Sequence, residues 1–368
     1  MTTTTEPSAD AGAGTAAILD EDRLNEFIGR FAGDLGAVMH CATVLIGDRL
    51  GLYAAIAENG PVSADGLAAA TGYDERYLRE WLSAQAASGY VEYDGEADTF
   101  WMAPEQVFAL TSEDNPFFAP GGLEVAASTI RDLDLLTEAF RTGSGVPWGD
   151  HHASLFRGTD RFFKPSYIGN LVESWLPALD GAVERLQRGA WVADVGCGHG
   201  ASTILMAEAF PRSTFVGFDT HAPSIEAARQ AAERAGVADR VEFQVGSASD
   251  YPGAAYDLVA FFDCLHDMGD PVGAARHVRE SLAADGHWLL VEPQAGDSLA
   301  DNLNPVGRIF YSASTLICVP NSRSQETDLA LGAQAGEQRL REVLTEGGFT
   351  RVRRATETPF NLVLEARP

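Results

Sequence analysis

The segment Ala193-Asp194-Val195-Gly196-Cys197-Gly198-His199-Gly200 constrains this chain more than any other. It reads as the end of a buried strand, a glycine-rich turn and a helix starting near Ala201-Ser202. Glycines at alternate positions let the backbone take dihedrals that side chains forbid and approach a bound molecule closely. The helix behind the turn offers unpaired N–H groups and the positive end of its dipole.

The C-terminal half of the chain fits a sheet around that turn. Strands are predicted at 191–195, 214–218, 241–245, 256–262 and 288–291, and helices at 202–210, 222–235, 272–282 and 338–346. A last strand pair, 350–354 and 361–366, flanks a short turn containing proline. This alternation predicts an α/β fold with a Rossmann-like, seven-stranded, mostly parallel sheet and an antiparallel last strand. Ligands of such sheets bind beyond the C-terminal strand ends.

The 368 residues allow more than one domain. Residues 1–19 read as a disordered tail, because they are rich in Thr, Ala and Gly and lack the positive start of a signal peptide. Residues 20–112 read as helices followed by a small hairpin, Tyr90-Val91-Glu92-Tyr93 against Thr99-Phe100-Trp101-Met102. Helices are expected at 22–45, 50–57 and 74–88, with apolar Phe27, Phe31, Leu35 and Val38 along the first. This is the layout of a winged helix. Residues 113–189 form a connector, with a helix predicted at 167–186 and Trp148, His151, His152, Phe156 and Tyr167 as candidate pocket residues. Residues 190–368 hold the sheet.

Charge restricts the partners. The formal net charge is -27, and Lys164 is the single lysine. Nucleic acids and anionic lipids are bound chiefly through Lys and Arg, so neither is an expected partner. The winged-helix region sharpens this: its candidate recognition helix opens Asp74-Glu75, and its wing carries Asp94, Glu96 and Asp98. No apolar run reaches the roughly 20 residues of a membrane span. Four cysteines, Cys41, Cys197, Cys264 and Cys318, show neither zinc-ligand spacing nor a disulfide framework. They read as small buried residues of a cytoplasmic protein, with Cys197 and Cys264 as fillers beside a ligand. No metal site is expected.

Asp219 ends the second strand of the sheet, where an acid can accept hydrogen bonds from both hydroxyls of a ribose. The glycine turn and this acid also occur in dinucleotide-binding domains, and Gly196-x-Gly198 followed by Ala201 fits that fingerprint loosely. The strict D-x-G-x-G-x-G alternation and the terminal antiparallel pair favour a different class. Residues 190–367 resemble class I S-adenosylmethionine (SAM)-dependent methyltransferases. The resemblance implies that Asp194, Gly196, Gly198 and Gly200 form the family's first motif and that Asp219, beside Thr220, holds the ribose. It places Ser247, where many members have Asp, and Ala248 at the adenine. Cys197 and Asp263 fall within the same cofactor set.

A second motif, Leu265-His266-Asp267-Met268-Gly269-Asp270, comes after the fourth strand. A histidine just past a strand end is well placed for proton transfer near neutral pH. The motif is similar to the L-H-D-W-x-D stretch of small-molecule O-methyltransferases, with Met268 in place of Trp. The resemblance implies that His266 is the general base, Asp267 an adjacent acid, and Glu292 the acid that orients the imidazole. A third acid of the family falls near Gln334, which is no carboxylate. The resemblance extends to an N-terminal winged-helix dimerisation domain. The implied protein is a homodimer that binds SAM, releases S-adenosylhomocysteine and methylates a hydroxyl of a small aromatic or apolar acceptor. The alternatives are N- or C-methylation, a SAM-binding regulator, and a fold that has lost methyl transfer.

Overall fold

The computed structural model describes residues 19–253 and 255–368; the first 18 residues of the predicted tail lie outside them. The chain begins with a 30-residue helix, α1 (Glu21–Leu50), started by the Asp20 carboxylate accepting from the Arg23 N–H and ended by Gly51 at φ 67°. Then come α2 (Leu52–Asn59), α3 (Ala64–Thr71) and α4 (Glu75–Ala87), the last two capped by Ser63 and Asp74. A hairpin of β1 (Glu92–Asp94) and β2 (Thr99–Trp101) and the helix α5 (Pro104–Thr111) close a small core around Leu52, Tyr53, Ile56, Leu67, Trp81, Leu82 and Phe100. The first half of α1 stays outside that core: Phe27, Ile28, Phe31, Leu35 and Val38 are all exposed. Among the described residues, no single helix is long and apolar enough to cross a membrane.

The connector differs from the expected helix at 167–186. It holds α6 (Pro120–Arg131), α7 (Leu133–Thr142), α8 (Ser154–Asn170), a π-helical turn (Leu171–Trp175) and α9 (Ala182–Arg188). The main helix thus starts thirteen residues earlier than expected and contains Pro165 in its interior. The α6 and α8 backbones nearly touch, since a Cβ on Gly121 would lie 2.4 Å from the Arg161 carbonyl carbon. Arg161, on α8, is buried and binds Asp48 at 2.9 Å, Glu113 at 2.6 Å and Glu124 at 2.8 Å. Its guanidinium also lies over the Phe118 ring. This buried cation locks α1 and α6 to α8.

The remaining chain alternates β3 (Trp191–Val195), α10 (Ala201–Ala209), β4 (Thr214–Asp219), α11 (Ala222–Ala235), β5 (Val241–Val245), β6 (Tyr256–Phe262), α12 (Pro271–Ser281) and β7 (Leu282–Pro293). Then come α13 (Pro305–Ala313), a π-helical turn (Ser314–Cys318), α14 (Val319–Arg323), α15 (Gly336–Glu346), β8 (Arg351–Glu357) and β9 (Asn361–Arg367). The strands form one sheet in the order β5-β4-β3-β6-β7-β9-β8. All pairings are parallel except those of β9, which is antiparallel to both neighbours. β7 begins six residues before the predicted 288–291, because Leu282 pairs with Tyr256; residues 283–286 then bulge out before pairing resumes at Leu258 and His287. Apolar residues cover both faces of the sheet, as parallel strands require. The chain moves outward in one direction from β3 to β5 and in the other from β6, so the loops after β3 and β6 part and open a crevice.

Candidate active site

A cavity of about 600 Å³ occupies that crevice. Its floor is the glycine turn. Gly196 has φ 77°, and a Cβ there would lie 2.8 Å from the Cys264 sulfur. Gly200 has φ 82°, and a Cβ there would lie 2.6 Å from the Phe243 ring, so this glycine serves helix–strand packing. Gly198 has open space where its Cβ would stand, and it lines the cavity.

Most sequence-predicted cofactor residues meet here. Gly196, Cys197, Gly198, Asp219, Thr220, Ser247, Ala248 and Asp263 all line the cavity. Gly200 and Asp194 do not line it. Asp194 lies under the turn, where one carboxylate oxygen accepts from the hydroxyls of Ser202 and Thr203, both at 2.6 Å. Its other oxygen is buried without a partner, and burial pushes the carboxyl up to about 6. Asp219 accepts from the backbone N–H of Gly198 at 2.9 Å and of His221 at 2.8 Å. Each carboxylate oxygen keeps a lone pair for a diol. Asp250 turns back on Ser247, accepting from its N–H and hydroxyl.

The charge of the cavity is one-sided. Asp160, Asp219, Asp263, Asp267 and Asp270 line it, and no arginine or lysine does among the described residues. Burial raises the carboxyls of Asp160, Asp219 and Asp263 above their ordinary range and that of Asp267 to about 7. The negative charge these carboxyls carry when ionised would repel a pyrophosphate, which disfavours a dinucleotide. A sulfonium and an ammonium group would be drawn in. The open space at Gly198, the diol-binding acid and the acidic walls therefore fit SAM.

The second constellation stands at the ends of β6 and β7. Asp263 adopts φ 50°, rare for a side-chain-bearing residue, and accepts from the Asn361 amide at 3.1 Å. The chain then makes a single turn, Leu265–Asp267. Glu292, near the end of β7, holds that turn twice: one oxygen accepts from the Leu265 N–H at 2.9 Å and the other lies 2.6 Å from His266 Nδ1. Both side chains are buried. Burial opposes charge on the His266 ring, but the Glu292 carboxylate outweighs it, with Cys318 adding to the effect, and holds the ring well above its ordinary range. Asp267 lines the cavity, whereas His266 lies behind its wall. The Cys318 sulfur, from the turn after α13, lies within 4.8 Å of a His266 ring nitrogen.

Comparison with known proteins agrees with this fold. Residues 186–348 match the methyltransferase domain family, and residues 39–112 match the Rv2258c-like winged HTH domain. The chain is a class I SAM-dependent methyltransferase.

Its relatives include the mitomycin biosynthesis 6-O-methyltransferase of Streptomyces lavendulae, 24% identical over 74% of this methyltransferase and 78% of the relative. The 27-O-demethylrifamycin SV methyltransferase of Amycolatopsis mediterranei is 30% identical over 44% of this chain and 57% of its own. The solved mitomycin 7-O-methyltransferase MmcR has the same fold, with TM-score 0.67, 20% identity and coverage of 95% and 100% of the two chains. So does human N-acetylserotonin methyltransferase with SAM, at TM-score 0.68, 17% identity and coverage of 96% and 99%.

Of the connector candidates, Trp148, Phe156 and Tyr167 line the cavity of the methyltransferase. His151 is instead buried against Asp132 at 2.9 Å, and the exposed His152 bonds Ser154. Sequence reasoning missed Asp160 and Phe163 on α8, His221 with its ring tilted 4.1 Å from Phe156, and Asn361 beneath Asp263. The spacing of α8 carried a signal: Asp160, Phe163 and Tyr167 recur at helical intervals on one face.

Proposed function

We propose that the protein transfers the SAM methyl group to a hydroxyl of a small aromatic or apolar molecule, with His266 as general base. The observation that carries this reading is the His266–Glu292 pair, 2.6 Å apart at the strand ends beside the cofactor cavity. The O-methyltransferases among its relatives support it. We assign Gly196, Cys197, Gly198, Asp219, Thr220, Ser247, Ala248 and Asp263 to cofactor binding, with Asp194 and Gly200 shaping the turn from behind.

Bound SAM supplies an electrophilic methyl group on a sulfonium. The protein supplies position and proton handling. Near-attack alignment of donor and acceptor is worth about 7–11 kcal/mol, and a positioned base roughly 10²–10⁴-fold in rate. With Nδ1 held by Glu292, the His266 nitrogen left to take the acceptor proton is Nε2. Glu292 stabilises the imidazolium that results. Asp267 adds negative potential at the cavity wall. Aromatic Trp148, Phe156 and Phe163 line the same cavity and suit a planar acceptor. Transfer of labelled methyl from SAM to a panel of phenols, amines and apolar alcohols tests the reading. Transfer to amines alone would replace it with N-methylation, the activity named for a structural neighbour, the dimethyltransferase RosA of Streptomyces davawensis.

We infer a homodimer in the cytoplasm, with the winged helix as its docking unit and not a DNA reader. Arg79 of α4 is tied to Glu75 and Asp98, and Arg76 to Glu80, so carboxylates occupy the cations a phosphate would need. The exposed stripe Phe27, Phe31, Leu35 and Val38 on α1 is the face we assign to a second copy. Light scattering of Phe31→Asp checks this: a wild-type dimer and a variant monomer are expected, and a monomeric wild type would refute it.

A further inference from the structure

The fold brings His266, Asp267 and Cys318 together, each offering one ligand atom, with all three atoms within 4.8 Å of one another. We propose that this trio is a site for a borderline-soft divalent cation, Zn²⁺ above all, and that the ion switches methyl transfer off. The inhibitory half rests on the reading of His266 as base; the binding half does not.

The donor set is one nitrogen, one sulfur and one oxygen, the mixture that suits Zn²⁺ and disfavours Mg²⁺ or Ca²⁺. Bonds of about 2.0–2.3 Å place tetrahedral ligand atoms roughly 3.3–3.6 Å apart, so the trio has to close by no more than about 1.5 Å. Glu292 already holds His266 Nδ1 at 2.6 Å, the carboxylate–histidine arrangement that orients a metal-bound imidazole and raises its basicity. His266 and Cys318 are buried, while Asp267 faces the cavity and gives an ion its way in. Three protein ligands leave a fourth position for water.

Binding is proton-balanced. The Zn²⁺ takes the Cys318 sulfur as thiolate and the lone pair of His266 Nε2, and the thiol proton and any proton on Nε2 pass to solvent. The ion then holds the lone pair that the acceptor's proton requires. No oxidant or further reactant enters.

Titration of the full-length protein with Co²⁺, a spectroscopic stand-in for Zn²⁺, tests the site. A thiolate-to-cobalt absorption band is expected, lost in Cys318→Ala and kept in Cys41→Ser. Glu292→Gln should weaken binding about 10–100-fold. SAM calorimetry on Cys318→Ala confirms that this variant is folded. Absence of the band, or its survival in Cys318→Ala, overturns the site. With the band present, Zn²⁺ should suppress methyl transfer by wild type at least tenfold more than by Cys318→Ala. Band without inhibition upholds the site and overturns His266 as the base.

Discussion

Strand β7 carries two histidine–carboxylate pairs built to one dimension. Midway along it, His287 Nδ1 lies 2.6 Å from Glu365; near its end, Glu292 lies 2.6 Å from His266 Nδ1. All four residues are buried. Their surroundings differ. Glu365 also binds Arg353 at 2.5 Å, and although burial opposes it, His287 and Arg353 together hold its carboxyl below the usual range. Among the described residues no arginine or lysine pairs with Glu292; its neighbours include Asp263, Asp267 and Cys318. One pair is neutralised and sealed between strands. The other stands among further acids at the end of the sheet where ligands bind. A short His–carboxylate contact is therefore no sign of catalysis by itself; the uncompensated environment is what distinguishes the second pair.

The widest expected separation between the pairs is in turnover. His266→Ala should cut methyl transfer about 10²–10⁴-fold while leaving SAM affinity unchanged by calorimetry. His287→Ala should leave turnover near wild type; an equal loss in both variants would erase the comparison. Stability does not follow turnover, because either substitution strands a buried glutamate. His287→Ala strands Glu365 in the sheet and should cost about 3–5 kcal/mol in denaturant unfolding, moderated by the remaining Arg353.

Acidity sharpens the contrast further. The His266 ring is raised, so the neutral form needed for proton removal appears only above the ordinary histidine range. Turnover should climb with pH through that alkaline window. Glu292→Gln removes the group that raises the ring, so the rising limb should move to lower pH as maximal turnover falls; an unmoved limb would contradict the pairing. The stability carried by the raised ring is complete at acid pH and is lost as pH rises through the same window. Glu365 behaves oppositely: its stabilisation is present at neutral pH and is lost as pH falls below the ordinary carboxylate range.

The smallest effect concerns Asp194. Its carboxyl is raised to about 6, so the native state loses stability between the ordinary carboxylate range and neutrality. Asp194→Asn keeps an acceptor for Ser202 and Thr203 and removes the buried charge. Thermal melts of this variant should depend less on pH between about 4 and 7 than those of wild type.

The sheet was legible because its signals are local. Strand residues, glycines and the acids at strand ends lie within a few residues of one another, and 194–200 with Asp219 led directly to the cavity floor. The connector was harder. Pro165 reads as a helix breaker, yet it sits inside α8, where packing against α6 overrides propensity. The early start of β7 has no local signal, because it rests on Leu282 pairing with Tyr256 across a bulge at 283–286. Cys318 could not be placed from sequence, because only the path of α13 and its π-helical turn brings its thiol to His266. The apolar stripe of α1 was visible, but a single chain leaves it bare.

Helix α8 links the two halves of the molecule through shared residues. Asp160, Phe163 and Tyr167 wall the cofactor cavity, while Arg161, between them, bolts the same helix to Asp48, Glu113 and Glu124. That wall cannot swing outward alone. Widening the cleft to discharge spent S-adenosylhomocysteine must either carry the N-terminal helices with it as one block or break a buried ionic bolt. Movement of the cavity wall is thereby tied to the packing of the N-terminal helices, far from the strand ends.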